Sequence, residues 1–316
     1  MRETNYLDTG VSPMPNLNLA AWTRPDIDAQ CSAAHGRYDR ELALHYTEYF
    51  AAHPALRGGH RHCAVNMEAA LPTNWSRLAD RIPLPRRHRH HLSGKSSQIL
   101  ALGLLGSTSE LDRSLGWLWS LVGRPASPVT PDTSVQFEYE VAPKLLNEAP
   151  HVTTIDYLVT GPDMVICTEA KWAERGLGAC SCARQEDGDP TIGECAERIL
   201  RRQGYWDAAR EIFGLPPLEA RTYCPISTSY QAIRNVAAAR ALAGQRKCAF
   251  LLIYDDNNPY FRQCGEWPGW PALLRETLSE RDGFLFRTVS WQELVTMLRL
   301  DEHVKAWARE KHQLPI

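Results

Sequence analysis

The stretch VTTIDYLVTGPDMVICTEAKW, residues 152–172, restricts the folds open to this chain more than any other segment. Two runs with strand patterning flank Gly161-Pro162-Asp163, which is strong turn chemistry, so the segment reads as a β-hairpin. A tip at Pro162-Asp163 sets the register and places Asp156 directly opposite Glu169. A slip of one residue would carry Asp156 to the other face. Alternation puts Val165, Cys167, Glu169 and Lys171 on one face, with Glu169 and Lys171 about 6–7 Å apart. The residues just before them, MVIC, look buried. Three charges therefore stand at the end of a core strand rather than on an exposed ribbon.

The surrounding sequence supplies a sheet for this hairpin and helices to cover it. VQFEYEV, residues 135–141, has period two, with Val135, Phe137, Tyr139 and Val141 on one face and Gln136, Glu138 and Glu140 on the other. KCAFLLIYDD reads as a buried strand and FLFRTVS as a last one, followed by a helix in WQELVTMLRL. Helical periodicity covers 37–52, with Leu42, Leu44, Tyr46 and Phe50 apolar. Ser93 and Gly106 read as the cap and stop of a helix, and SLGWLWSLVG as a short apolar one. The segment 227–244 reads as a helix with a cap and a glycine stop. Residues 1–30, with Pro13, Pro15 and Pro25, read as an irregular lead-in. The expectation is an α/β chain with a mixed sheet: a mostly helical region over 1–92, a core over 93–299 with a cysteine-containing insertion near 175–226, and a tail at 300–316.

Composition narrows the function. The chain has 316 residues, 44% apolar and 23% charged, enough for a sizeable core. Its formal net charge of −2 requires any nucleic-acid surface to come from local clusters of Lys and Arg. The N-terminus lacks a secretory pattern, no apolar run is long enough to span a membrane, and nine scattered cysteines suit a reduced cytoplasm. There is no G-x-S-x-G and no P-loop lysine, which argues against a serine hydrolase and an ATP-driven motor.

The charges on the hairpin have a chemistry of their own. Two carboxylates a few ångströms apart either raise one pKa or recruit a cation. Hard oxygens suit Mg²⁺ or Mn²⁺, which polarise a phosphoryl oxygen and acidify a water. A lysine beside them can orient the attacking water and stabilise charge developing on phosphate. Phosphodiester hydrolysis needs these three residue types together. The bland alternative is a salt-bridged surface hairpin.

Asp156, twelve residues, then Glu169-Ala170-Lys171 resembles the signature of the PD-(D/E)XK nuclease superfamily. With the order helix–three strands–helix–strand, KSSQILALGLLG before and SYQAIRN after, residues 90–295 resemble a bacterial family of restriction endonucleases. The resemblance implies a restriction-endonuclease-like core in which Asp156 and Glu169 hold the metal and Lys171 sits beside the water. Ile155 stands where the motif has proline. On the first core helix Gln98 occupies the place of an acidic or polar residue near the metal. Glu138 or Glu140 is left as a third carboxylate. On the helix over 227–244 a polar residue is expected to reach the site or the substrate phosphate, with Gln231 and Arg234 favoured over an ordinary polar face shared with Tyr230 and Asn235.

Other groups remain open between function and structure. Arg86, Arg87, Arg89 and Lys95 are candidate phosphate contacts or a solvated basic stretch. Trp75, Trp117 and Trp119 are candidate stacking platforms or core residues. Cys180, Cys182, Cys195 and Cys224 suggest a second metal site, Zn²⁺ or, by the superfamily resemblance, an iron–sulfur cluster, against scattered reduced thiols. Cys31, Cys167 and Cys248 read as small core residues. The leading expectation is a Mg²⁺-dependent DNA endonuclease of bacterial defence, with a homodimer and defence-system proteins as candidate partners. The alternatives are an RNA or tRNA endonuclease on the same scaffold and a non-catalytic nucleic-acid-binding module.

Overall fold

A computed structural model describes residues 17–124, 133–148, 152–178, 212, 228–278, 280 and 283–316. Five strands form one mixed sheet in chain order: β1 (Ser134–Glu140), β2 (Thr154–Thr160), β3 (Met164–Ala170), β4 (Lys247–Tyr254) and β5 (Phe284–Ser290). The first three are antiparallel neighbours, and β3, β4 and β5 run parallel. The antiparallel β2–β3 pair needs only the short turn, where the Gly161 N–H donates to the Met164 carbonyl at 2.8 Å. Each parallel pair needs a crossover. A helix at Tyr230–Ala243 lies between β3 and β4, and one at Trp270–Thr277 between β4 and β5.

Helix extends further at both ends of the chain than the sequence pattern suggests. The first helix, α1 (Arg24–Ala52), starts well before residue 37. Thr23 and Asp26 form a reciprocal capping box, and Pro25 sits in the first turn, where its missing N–H has no helical partner to lose. Ile27, Cys31, His35, Tyr38, Leu42, Tyr46 and Phe50 form the buried stripe, at intervals of three and four. Leu44 falls off that stripe and is 60% exposed. The expected tail holds a helix, Glu302–His312, whose Trp307 and Lys311 both donate to the Ala70 carbonyl.

The first core helix also differs from expectation. Its cap is Ser96, not Ser93, and it does not stop at Gly106. It runs as α2 through Ser97–Ala101, a π-helical turn at Leu102–Gly106 and Ser107–Leu111. A Cβ on Gly103 would lie 2.5 Å from the Trp307 ring, and one on Gly106 would lie 3.2 Å from Leu78. Both glycines serve close packing here, so neither ends the helix. The short apolar helix follows as α3 (Gly116–Leu121). The later helices are α4 (Tyr230–Ala243), α5 (Trp270–Thr277), α6 (Trp291–Met297) and α7 (Glu302–His312). No described helix is long and apolar enough to cross a membrane.

Both sheet faces are covered, so β3 is buried at every position. Met164, Ile166, Leu251 and Ile253 share one apolar cluster with α1, α2, α6 and α7. That cluster also holds Leu71, Leu78 and Leu314, so residues 64–82 and the C-terminal helix share a core with the sheet. Val165, Cys167, Phe250 and Leu252 share the other cluster with α4 and α5. Cys31, Cys167 and Cys248 are fully buried among these residues.

The alternation expected along β1 breaks at Glu138. Phe137 packs in the first cluster, but Tyr139 and Val141 pack in the second. Glu138 has φ +48°, a left-handed conformation unfavourable for a side chain of this kind. Register is kept on both sides of it, Phe137 facing Tyr157 and Tyr139 facing Ile155. The backbone thus rotates without gaining a residue, and it buries Glu138 while Glu140 stays exposed.

Lys311 yields a stability prediction. It is buried between the Phe50 and Trp307 rings, and burial pulls its pKa down to about 7. The unfolded chain keeps the proton up to about pH 10.4. Stability therefore rises with pH between these values, and below pH 7 the cost of the buried cation is complete. Lys311→Met is expected to raise the urea midpoint at pH 6 by more than at pH 9. Equal shifts at the two pH values would show that Lys311 stays charged in the folded protein.

Candidate functional site

The hairpin register sets the first part of the site. Pairing of Tyr157 with Thr168 and Leu158 with Cys167 carries Asp156 to the place opposite Glu169, and the same counting on β1 brings Glu138 opposite Asp156. The ladder stops at Tyr157–Thr168, and beyond it the Asp156 carboxylate accepts from the Ala170 N–H at 2.8 Å. Three carboxylates thus end three adjacent strands in one row.

Lys171 follows directly after β3. Its N–H donates to the Ile253 carbonyl at 2.8 Å, and its own carbonyl accepts from the Trp291 indole at 3.0 Å. With the backbone held on both sides, the ammonium turns back to Glu169 Oε1 at 2.6 Å. Glu169 is 2% exposed and Lys171 5%, so this ion pair is out of water.

Helix α4 supplies the polar ceiling. Gln231 Oε1 accepts from the Lys171 ammonium at 3.1 Å, and the Asn235 amide donates to Glu169 Oε2. Four residues separate the two amides, which places them on one helical face. Gly178 lets the chain after β3 pass beneath: φ is +72°, and a Cβ there would lie 2.7 Å from the Gln231 side chain. Gln231 also donates its N–H to the Leu177 carbonyl at 2.8 Å.

The electrostatics follow from this crowding. Burial, then the neighbouring Glu169 and Glu138 carboxylates, push the Asp156 pKa well above its ordinary value, against the opposing pull of Lys171. Burial works against the Lys171 ammonium, but Glu169, Glu174 and Asp156 together overcome it and raise its pKa. Lys171 is thus a fixed cation at neutral pH, suited to donate a hydrogen bond rather than to take a proton. Glu138 Oε2 is buried without a hydrogen bond, its nearest cation being His88 Nε2 at 3.5 Å. The Glu138 carboxylate in turn holds His88 above its ordinary pKa.

Much of the basic run before α2 is tied to its own surroundings. Gln98 is buried, accepting from the His88 N–H and donating to the Arg86 carbonyl, both at 3.2 Å. It braces the loop that brings His88 to Glu138 and does not reach the carboxylates. Arg87 donates to the Ile82 and Ala79 carbonyls, and Lys95 pairs with Asp39 at 2.6 Å. Arg86 lies 3.7 Å from Glu140, which leaves that glutamate outside the row. Arg89 is exposed. Arg234 points away from the site into Glu148 and Thr153, both at 2.9 Å. Trp75, Trp117 and Trp119 are buried and are packing residues. Cys180, Cys182, Cys195 and Cys224 lie outside the described residues.

Three contributors go beyond the site residues favoured from the sequence. Asn235 carries a signal, four residues after Gln231 on the same helix face. His88 is hidden in a run of arginines and histidines. Glu174 accepts from the Trp172 N–H at 2.6 Å and from the Ser97 hydroxyl, which places a further carboxylate near Lys171.

A family model described as a restriction endonuclease associating with ARP matches residues 44–312. The chain belongs to this restriction-endonuclease family. No curated protein and no solved structure matches it. The matched span runs from α1 through α7, so it includes both the carboxylate row and the helices that enclose it.

The two acidic groups should respond oppositely to removal in protein stripped of cations. Asp156→Asn keeps an acceptor for Ala170 and relieves repulsion, so it should raise unfolding stability at pH 7.5. Glu169→Ala strands a buried ammonium and should lower it by ~3–5 kcal/mol. Urea melts in EDTA measure both, and destabilisation by Asp156→Asn would count against the crowded-carboxylate account.

Proposed function

We propose that this protein is a Mg²⁺- or Mn²⁺-dependent endonuclease that hydrolyses phosphodiester bonds in DNA. The observation that carries the reading is the buried Lys171–Glu169 pair beside Asp156, at strand ends, in a restriction-endonuclease family chain. The donor set suits the cation. Among the described residues no group of three His, Cys, Asp or Glu side chains is placed to hold a metal ion. Mg²⁺, however, commonly takes only one or two protein carboxylates, with waters and substrate phosphate completing its sphere. Asp156 and Glu169 are those two, and Glu138, whose Oε2 faces His88 at 3.5 Å, is the next carboxylate in the row. Bound there, the cation would supply charge neutralisation and an acidified water.

The chain's own residues do the rest. The Lys171 ammonium donates to the attacking water or to a phosphate oxygen, where negative charge grows. Gln231 orients that ammonium through its carbonyl oxygen, and Asn235 fixes the Glu169 carboxylate. The hard-oxygen, protonated-lysine pattern serves charge stabilisation and needs no 2′-hydroxyl, so DNA is open to it; the preference for DNA follows from the restriction-endonuclease family. We place the activity in bacterial defence against foreign DNA, with an associating partner as the family description names.

The test is cleavage of supercoiled plasmid, linear duplex, single-stranded DNA and structured RNA with Mg²⁺, Mn²⁺ or EDTA. Wild-type protein is expected to cut DNA only with the divalent ion. Lys171→Ala and Glu169→Ala, checked for folding by circular dichroism, should cut at least ~100-fold more slowly. Cutting of RNA alone would move the substrate to RNA. Equal behaviour of wild type and both variants would sink the catalytic assignment and leave a binding module.

A further inference from the structure

The site has a back wall, and behind that wall is a cavity. Trp172, next to the catalytic lysine, lines a space of about 430 Å³ between α1, the end of β4 and the end of α7. Its floor is made by Tyr38, Leu42, Trp172, Asp255 and His312, all buried. Its exposed rim carries Arg37, Glu41, Asn257 and Arg262. The volume falls within the range of small-ligand sites.

The polar groups of this cavity divide into committed and uncommitted ones. Asp255 is committed: it accepts from the Tyr38 hydroxyl at 2.7 Å, the Gln292 amide at 2.6 Å and the Asn257 N–H at 3.0 Å. Among the described residues the side chains of Arg37, Arg262 and Glu41 make no ion pair or hydrogen bond. His312 is 2% exposed, and its Nδ1 is bonded to the Tyr46 hydroxyl at 2.9 Å, yet its buried Nε2 has no partner. That nitrogen lies behind the cavity surface, where the ring packs against Trp172 and Trp307, so His312 shapes the floor and offers a ligand no polar contact.

We propose that this cavity binds a phosphomonoester of mononucleotide size and that occupancy is transmitted to Lys171 through Trp172. Two free guanidiniums on one rim suit a phosphate head. A free carboxylate beside them suits the hydroxyl donors of a ribose, the pairing that acidic residues make with ribose elsewhere. Inorganic phosphate alone would leave most of the volume unfilled.

Transmission has a physical route. The Trp172 carbonyl accepts from the Asn258 amide at 2.9 Å and lies 3.0 Å from the Tyr38 hydroxyl, whose one proton it shares with Asp255. The Trp172 indole donates to the Tyr46 hydroxyl at 2.9 Å, which is the group bonded to His312. A ligand that packs against His312 or Tyr38 therefore acts on the residue peptide-bonded to Lys171. The binding claim is independent of the nuclease reading; only the consequence for Lys171 rests on it.

The experiment is calorimetric titration of the full chain with AMP, inorganic phosphate and adenosine, followed by hydrogen exchange of the peptide covering 164–178. Saturable AMP binding is expected, weakened at least tenfold in Arg37→Ala and in Arg262→Ala, with adenosine silent and with slower exchange at Lys171 and Trp172. Phosphate binding as tightly as AMP through the same arginines would support the anion site and overturn the mononucleotide assignment. Absence of binding by either anion, or full retention in both arginine variants, would overturn the site. Binding with unchanged exchange at 164–178 would overturn the coupling alone. Loss of plasmid cutting with binding intact, or the converse, separates this proposal from the nuclease reading.

Discussion

The buried ion pair between Lys171 and Glu169 is the interaction on which the rest of the site depends. Neither charge could stay at the end of a core strand alone, because an isolated ion out of water is strongly disfavoured. Each is therefore held by contacts from neighbouring elements. The lysine backbone is pinned by β4 and α6, its ammonium by Gln231, and the glutamate by Asn235. Helix α4 must lie close above the strand for both amides to reach, which explains its buried run Val236–Ala239 against the sheet.

Beside this balanced pair stands an unbalanced one. Asp156 and Glu138 add negative charge to the same row without a matching cation of their own, apart from His88 at the edge. Crowded, uncompensated charge of this kind clusters at functional sites. The left-handed backbone at Glu138 supports this view. A strained residue in a strand persists only when its surroundings enforce it, and here the strain turns an otherwise exposed glutamate into the row.

Much of this architecture is legible in the amino-acid order. The turn at Gly161-Pro162-Asp163 specifies the hairpin, the period of two assigns the strands, and together they pair Asp156 with Glu169. The helix–three strands–helix–strand order follows from local patterning, as does Gln231 on the correct helix face. These features depend on contacts close in sequence, and local chemistry encodes them. The early start of α1 is readable in principle, since Thr23, Pro25 and Asp26 form a helix-start signal, but the neighbouring prolines and polar residues give the segment an irregular pattern that masks it.

What stays hidden depends on distant contacts. No local rule says that Gly103 and Gly106 lie inside a helix; Trp307 and Leu78 decide that. Arg234 and Lys95 look like free phosphate ligands until Glu148 and Asp39 arrive from elsewhere in the chain. Gln98 looks like a site residue until it is seen holding the loop of Arg86 and His88. By itself the sequence determined the central hairpin, its register and the three charges it carries. Only the tertiary structure decided which other charges join them, because a side chain's partner across space is set by how whole elements dock, and no short-range period records that.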